Sequence, residues 1–524
     1  MKFNAPILVY ILAFLPMIAH GHLGQKNIIQ QTLIGQYPAR ITVKKPSVIP
    51  GIARIFIRFE KDFELDSVSV QPLHWSLGKQ GSPPPDIAVP VKGEPGLYES
   101  ELWIMTGSAY SINITAKSKN GEDTAYVPYS SIATNTPTMS LPIQMLLFGF
   151  LIFLVIFLLA IIRQTVAFST LGKNKSPGRR AIYAANLVTF VFSGIIGYAL
   201  FFGKQWWNQE EENYKSNRLF KPIQAKSDIF KLEDAPHTLG LRIQAPGDKL
   251  YRNGPIISDH GKIMHAFVVN KYTEKSLVYA AHLHPSKFNK EVFWSFFNND
   301  IPQGDYQLFI DISQETGFSQ TLLGTIKIEE NLKTIDRLGE AEAAWVRKNS
   351  KSIDVDDSFF QLEKSSTAST MTKWENPDFD LEWVGRNLND PSNQLTFQLL
   401  DPSGQPIDPE LYLGMSGHAI VINKEGTVYT HLHPTGNISM AAAKLAELRD
   451  TGEAPRKTGT AEPICELPTV EESLMAWKKV DASKNKGEIV FPYLPPKDGI
   501  YRTFVQFKLG GIVKTVYFEL PLRG

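Results

Sequence analysis

Two stretches of the chain run for 22 residues without a charge, Leu141 to Ile162 and Ile182 to Gly203. About 20 residues of helix cross the hydrocarbon core of a bilayer, so each stretch predicts a transmembrane helix. The loop between them, residues 163–181, holds Arg163, Lys173, Lys175, Arg179 and Arg180 and no acidic residue. Such a loop is retained in the cytoplasm. Trp206 and Trp207, followed by Glu210, Glu211 and Glu212, fit the aromatic belt and aqueous margin of the far side. A third apolar run, Pro6 to Ile18, lies between Lys2 and the small-x-small triplet Ala19-His20-Gly21. This is the pattern of a signal peptide over residues 1–21; an uncleaved anchor would export the following segment equally. Both signals place everything before Leu141 and after Gly203 outside the cytoplasm, which leaves only a short basic loop inside.

In the exported parts the apolar period shortens. Runs of β-branched and aromatic residues, such as Ile52 to Phe59 and Val505 to Phe518, are punctuated by Gly, Pro and Asn. A Gly-x-Tyr leading into an apolar strand occurs at Gly96-Leu97-Tyr98, Gly304-Asp305-Tyr306 and Gly499-Ile500-Tyr501. Hairpins of this kind close immunoglobulin-like sandwiches. The predicted fold class is therefore mainly β: three immunoglobulin-like β-sandwich domains, at 27–135, 235–330 and 375–522, plus two transmembrane helices at 141–162 and 182–203. The polar, serine-rich residues 331–374 are predicted to link the second and third domains. A helical stretch, Met440 to Leu448, opens an insertion reaching about Asp481 that contains Cys465.

Length and composition fit this organisation. A chain of 524 residues exceeds what one core supports. With 43% hydrophobic and 20% charged residues it is neither disordered nor nucleic-acid-like, and its net charge of +1 gives no basic surface for a nucleic acid. A single cysteine excludes an internal disulfide framework and a cysteine-rich zinc site. The acidic pairs Glu329-Glu330 and Asp356-Asp357 read as solvated faces. No Walker motif, nucleophile elbow or dinucleotide fingerprint is present.

The candidate chemistry lies in the histidines. The first window holds His260, Met264 and His265, then Ala281-His282-Leu283-His284-Pro285; the second holds Met415 and His418, then His431-Leu432-His433-Pro434. Residues i and i+2 of a strand share a face. So His282 pairs with His284 in direction, and His431 with His433. Folding each hairpin at its turn, near Tyr272–Lys275 and Lys424–Gly426, sets His265 opposite Ala281 or His282 and His418 opposite His431 or Leu432. Directly opposed residues point to the same face. Each domain can thus present a three-histidine metal site, His265, His282 and His284 in one and His418, His431 and His433 in the other. His260, Met264, Met415 and Met440 are extra candidate ligands. Neutral imidazole suits copper, zinc, iron and nickel, and the thioethers favour copper over zinc. The competing reading is that the histidines hydrogen-bond and brace strand ends. A one-residue slip would also turn His265 or His418 away.

These windows resemble the YtkA-like and FixH-like group of bacterial secreted domains. Met264-His265 with Ala281–Pro285 carries the resemblance in the second domain. Tyr412-Leu413-Gly414-Met415-Ser416-Gly417-His418 with His431–Pro434 carries it in the third. The first domain is similar only through Gly96-Leu97-Tyr98 and Glu101-Leu102-Trp103 and lacks the trio. The resemblance implies small β-sandwiches and copper handling or assembly of a respiratory metalloenzyme. The expectation is a non-catalytic binding protein of the bacterial cytoplasmic membrane, with all three domains on the periplasmic side and a metal ion or a membrane metalloenzyme as partner. An interaction protein with structural histidines is the alternative. An envelope metalloenzyme would need an open metal position and a general base, for which only Asp259 and His260 qualify.

Overall fold

The two-residue alternation of the segments outside the two long helices produces sheets whose inward faces are aliphatic. The computed structural model describes residues 27–169, 175–232, 235–270, 277–286, 289–298, 301–329, 356–361, 372–385, 394–452, 481, 483 and 485–524. The signal segment, Cys465 and most of its insertion, and the turn near Tyr272–Lys275 lie outside them.

The first β region comprises β1 (Ile28–Ile34), β2 (Tyr37–Lys44), β3 (Gly51–Phe59), β4 (Ser67–His74), β5 (Asp86–Ile87), β6 (Val89–Pro90), β7 (Leu97–Ile104), β8 (Ala109–Ser118) and β9 (Gly121–Ser130). They form two sheets, β1-β2-β3-β7-β6 and β5-β4-β8-β9. Ile41, Val43, Ile55 and Ile57 on one, and Val68, Val70, Ile112 and Ile114 on the other, are fully buried. This is the apolar-in, polar-out pattern of an antiparallel sheet with one wet face.

Two long helices form a separate unit, residues 132–220. α1 (Leu141–Phe168) begins after Ser140 with Pro142 in its first turn, where a missing N–H costs nothing. α2 (Arg179–Asn217) continues through Trp206, Trp207 and the acidic triplet. Both are long and apolar enough to cross a membrane. Their large side chains face outward uncovered: Leu146 is 71% and Phe190 75% exposed. The buried positions in this pair are Ala167 and Ala185, and Arg163 donates from Nε to Asn186 Oδ1 at 3.0 Å. Small residues let the backbones approach, and the bulky ones point outward.

The second β region contains β10 (Lys226–Leu232), β11 (Ala235–Gln244), the short α3 (Gly247–Leu250), β12 (Ile256–Ile257), β13 (Met264–Asn270), β14 (Leu277–Pro285), β15 (Val292–Asn298), β16 (Gly304–Gln314), β17 (Ser319–Ile328) and β18 (Ser358–Gln361). The third contains β19 (Lys373–Asn376), β20 (Phe379–Gly385), β21 (Gln394–Leu400), β22 (His418–Asn423), β23 (Tyr429–Leu432), α4 (Met440–Asp450), β24 (Glu488–Pro492), β25 (Gly499–Leu509) and β26 (Ile512–Leu522). The predicted link between these regions is partly structural: β18 pairs with β14, and Ser358 Oγ accepts from Gln506 Nε2 at 2.6 Å in the third region.

The two regions repeat one four-strand order, β14-β13-β16-β17 and β23-β22-β25-β26. Their outer faces are pressed together. Met264 to Val269 of β13 and all of β22 are buried on both faces. Phe309 of β16 stacks on Tyr429 of β23, centroids 4.5 Å apart and 4° from parallel. Phe267 of β13 lies against Tyr429 and His431. A face shared by two sheets is dry, so any polar group on it needs a partner there.

The first region closes one end of this junction. Gln31 donates its N–H to Thr435 O at 2.7 Å, and Asn437 donates its N–H to Ile29 O at 3.0 Å. Asp450 at the end of α4 accepts from Tyr126 and Asn113 and pairs with Lys79 at 3.0 Å. Gly436 makes the close approach feasible: its φ is +120°, and a Cβ there would sit 1.9 Å from Ile29 O. Gly436→Ala is expected to destabilise the β regions by about 1–4 kcal/mol through strain and backbone overlap. Thermal unfolding of the full chain in detergent checks this, and an unchanged midpoint would show that β1 is not seated beside the loop.

Candidate metal centre

The cross-strand register decides which histidines share a face. In the second region His265 lies opposite His282, with Asp311 on its other flank and Thr321 beyond. In the third region the pairs Ala419↔Leu432 and Ile420↔His431 place His433 across from His418, which is flanked by Gln506 and then Thr515. The expected partners His431 and Leu432 are therefore each displaced: His282 lies four positions beyond Val278, where β14 begins to pair with β13, whereas His431 lies only two beyond Tyr429, and the opposed residue becomes the second histidine of His-Leu-His.

A tight turn precedes each first histidine by the same spacing. Asp259 and Lys262 close a two-residue turn on His260 (φ 53°) and Gly261 (φ 78°); Tyr412 and Met415 close another on Leu413 (φ 49°) and Gly414 (φ 87°). Both central positions are left-handed, a conformation that costs about 1–3 kcal/mol for a residue with a Cβ. Histidine in that position is therefore held by its surroundings. The turn carries the His260 ring across to the third region.

The two β regions thus do not hold separate trios. His260, His418 and His433 form one group, each offering a ring nitrogen within 4.8 Å of the others. His265 lies between His282 and His431, with ring centroids 5.1 Å (His265–His282) and 5.4 Å (His265–His431) apart. The groups adjoin, since the His431 and His433 rings are 4.6 Å apart. His284 stands outside. Beyond Leu283, β14 leaves β13 and pairs His284 with Trp294 of β15, where the side chain is exposed. The expected same-face pairing of His282 and His284 fails as a site because the neighbouring strand changes between them. Met264 alternates away from His265 into the aliphatic core of the second region. Met415 is buried in its turn with Sδ accepting from Thr435 Oγ1 at 3.7 Å, and Met440 opens α4, which docks on the first region.

Carboxylates orient the rings. Asp357 Oδ1 accepts from the backbone N–H of His282 at 2.9 Å and from its Nδ1 at 2.8 Å. Asp357, expected on a solvated face, has a 3% exposed side chain because β18 tucks it beneath β14. Asp311 Oδ2 lies 3.5 Å from His431 Nδ1, and its carboxylate also accepts from Tyr429 and Thr321. His265 Nε2 donates to Asp259 O at 3.3 Å. Asp259 Oδ1 itself is buried without a hydrogen-bond donor among the described residues, 3.7 Å from His260 Nε2. The ring nitrogens engaged by hydrogen bonds are Nδ1 of His282 and Nε2 of His265.

His418 and His433 are different. Both rings are buried, and neither nitrogen of either ring has a hydrogen-bond partner among the described residues. Burial, with the neighbouring rings adding to it, pushes His265, His418 and His433 well below their ordinary range, and burial lowers His260. All four are neutral near pH 7, the form in which imidazole binds a metal. A cavity of about 100 Å³ bordered by all three β regions reaches Asp259, His265, Asp311, His431 and His433. A void of about 10 Å³ lies among His265, His282, His418 and His431.

One family model matches the chain. It is described as a domain of unknown function (DUF8832) and covers residues 375–524, the third β region. No curated protein matches the sequence. Similar solved structures include the tetra-tandem repeat in the extending region of a large adhesion protein, at 6% identity over 90% of this chain and 71% of that one, TM-score 0.15. The FN1–FN3 domains of chicken CNTN1 match at 7% identity over 92% and 97%, TM-score 0.13. Escherichia coli alpha-2-macroglobulin activated by porcine elastase matches at 8% over 91% and 42%, TM-score 0.18. Superpositions this loose define no shared site.

The sequence pointed to all six clustered histidines, His260 as an extra candidate, and to His284, which stands outside; it missed Asp311, Asp357 and the meeting of the regions. The signal was present: Ala266 to Val269 and Ala419 to Ile422 are continuous apolar runs, the mark of strands buried on both faces. A pH dependence follows from the lowered histidines. The unfolded chain takes up their protons below about pH 6.5, and the folded chain does so only at lower pH. Stability is therefore full above about pH 7 and falls as pH drops, by about 1.4 kcal/mol per pH unit for each such histidine. Thermal midpoints of the metal-free full chain should be flat from pH 7 to 8 and drop toward pH 5; a rise toward pH 5 would contradict buried neutral rings.

Proposed function

We propose that this is a membrane-anchored, extracytoplasmic metal-handling protein whose ion is held by His260, His418 and His433 between the second and third β regions. The carrying observation is the pair of buried rings, His418 and His433, whose four nitrogens meet no donor or acceptor. A buried polar atom left unpaired costs about 1–3 kcal/mol. A cation bound by one nitrogen of each ring removes that cost for those two nitrogens, and Asp259 beside the group offers compensating charge.

Three imidazoles without thiolate suit a late first-row divalent ion. Copper binds such ligands more tightly than zinc. With Met264 turned into the core, copper rests on the imidazoles and on the likeness of both histidine windows to the YtkA-like and FixH-like domains. The three β regions are read as immunoglobulin-like sandwiches, and the basic loop after α1 sets them on the periplasmic side of a bacterial cytoplasmic membrane.

The bracing alternative is favoured for His282 by its two contacts with Asp357. For His418 and His433 nothing is braced. Full chain purified in detergent, equilibrated with Cu²⁺ or Zn²⁺ and desalted, should retain ion in stoichiometric amount. His433→Ala should hold at least one ion fewer at unchanged fold, and His284→Ala should match the wild type. Equal metal in His433→Ala and wild type, or none in either, would sink the proposal.

A further inference from the structure

We infer that the cavity of about 100 Å³ bordered by the three β regions is the passage by which a hydrated divalent cation travels between the surface and the group His260, His418 and His433. This inference rests on the single-ion reading above and adds the path the ion takes.

A passage needs an outer end, an inner end and walls that a cation tolerates. The outer end is Ser319, an exposed residue at the start of β17 that lines the cavity beside Ser313, the two hydroxyls 3.3 Å apart. The inner end is His433, which lines the same cavity. It is 5% exposed, and neither of its ring nitrogens has a hydrogen-bond partner among the described residues. One cavity thus joins a surface residue to a member of the group. Its volume is several times the 10–15 Å³ or so that one water needs, so an ion can move with part of its hydration shell.

The second argument is charge. Two carboxylates line the cavity, and each lies beside the rings at its inner end. Asp311 Oδ2 is 3.5 Å from His431 Nδ1, and the His431 and His433 rings are 4.6 Å apart. Asp259 Oδ1 is 3.7 Å from His260 Nε2 and meets no hydrogen-bond donor among the described residues. Lys45 is the opposing charge: its Nζ donates to Ser130 Oγ at 3.3 Å and sits 5.5 Å from the centroid of the Tyr129 ring. Two carboxylates against one ammonium leave the walls net negative, and a cleft lined by one sign of charge concentrates the opposite ion. The third argument is that the other flank of the group is packed. Tyr412, 2% exposed, lies against His418 with centroids 4.9 Å apart, and β22 is buried on both faces.

The test is stopped-flow loading of the full chain in uncharged detergent with Zn²⁺, followed with a chromophoric zinc indicator, and release into an excess of the same indicator. Ser319→Trp puts an indole at the outer end. It is expected to slow loading and release by the same factor and to leave the equilibrium Kd unchanged, since an obstructed path alters both rates alike. Wild-type rates in Ser319→Trp overturn the passage and leave the single-ion reading standing, as does a weaker Kd with unchanged loading; no Zn²⁺ bound by wild type overturns both. Should Ser319→Trp fail to fold, Asp311→Asn keeps the shape and removes one guiding charge. It is expected to slow loading about 10-fold at low ionic strength. The difference is expected to vanish near 1 M salt, where the Debye length is about 3 Å. Equal loading rates in Asp311→Asn and wild type at low salt would overturn it.

Discussion

The junction between two sheets is dry, and into it the chain puts rings that want either a proton, a partner or a metal. Everything else about the β regions follows from how that is managed. Phe267, Phe309 and Tyr429 exclude water and make the contact between regions. The same exclusion would make bare imidazoles expensive, and it keeps His265, His418 and His433 unprotonated. Apolar packing and candidate chemistry are thus two consequences of one covered face.

The division of labour among the regions is set by that face. The second and third each donate a hairpin and a turn. The first donates no histidine to the cluster; it seats β1 against Thr435 to Asn437 and borders the cavity through Ile28, Lys45 and Ser130. It also binds α4 through Asp450 and Arg449, the latter stacked over Trp75 at 4.3 Å. Its place in the molecule is that of a cover and support for the loop that carries His433.

Much of this was legible in the residues themselves. Charge-free 22-residue runs declare two membrane-length helices, and α1 and α2 cover them. Period-two alternation declares a mainly β chain. The histidine windows single out the candidate residues, because residues i and i+2 of a strand share a face. What local pattern does not convey is which residue lies across: His265 meets His282 but His418 meets His433, because His282 lies four positions past the first paired residue of its strand and His431 only two. Nor does it convey tertiary covering. Asp357 sits in a polar stretch and looks solvated, and only the pairing of β18 with β14 buries it against His282. His284 looks equivalent to His433 and is not, since β14 changes neighbour after Leu283. These are long-range facts that neighbouring residues do not encode.

The central claim is that imidazoles from two β regions grip one ion. X-ray absorption of the copper- or zinc-loaded full chain, taken alongside His260→Ala, tests it most directly. The account predicts a shell dominated by imidazole nitrogen at about 2.0 Å. It also predicts a loss of one imidazole from that shell when the second region's His260 is removed. An oxygen-only shell, or an imidazole count unchanged by His260→Ala, would contradict it.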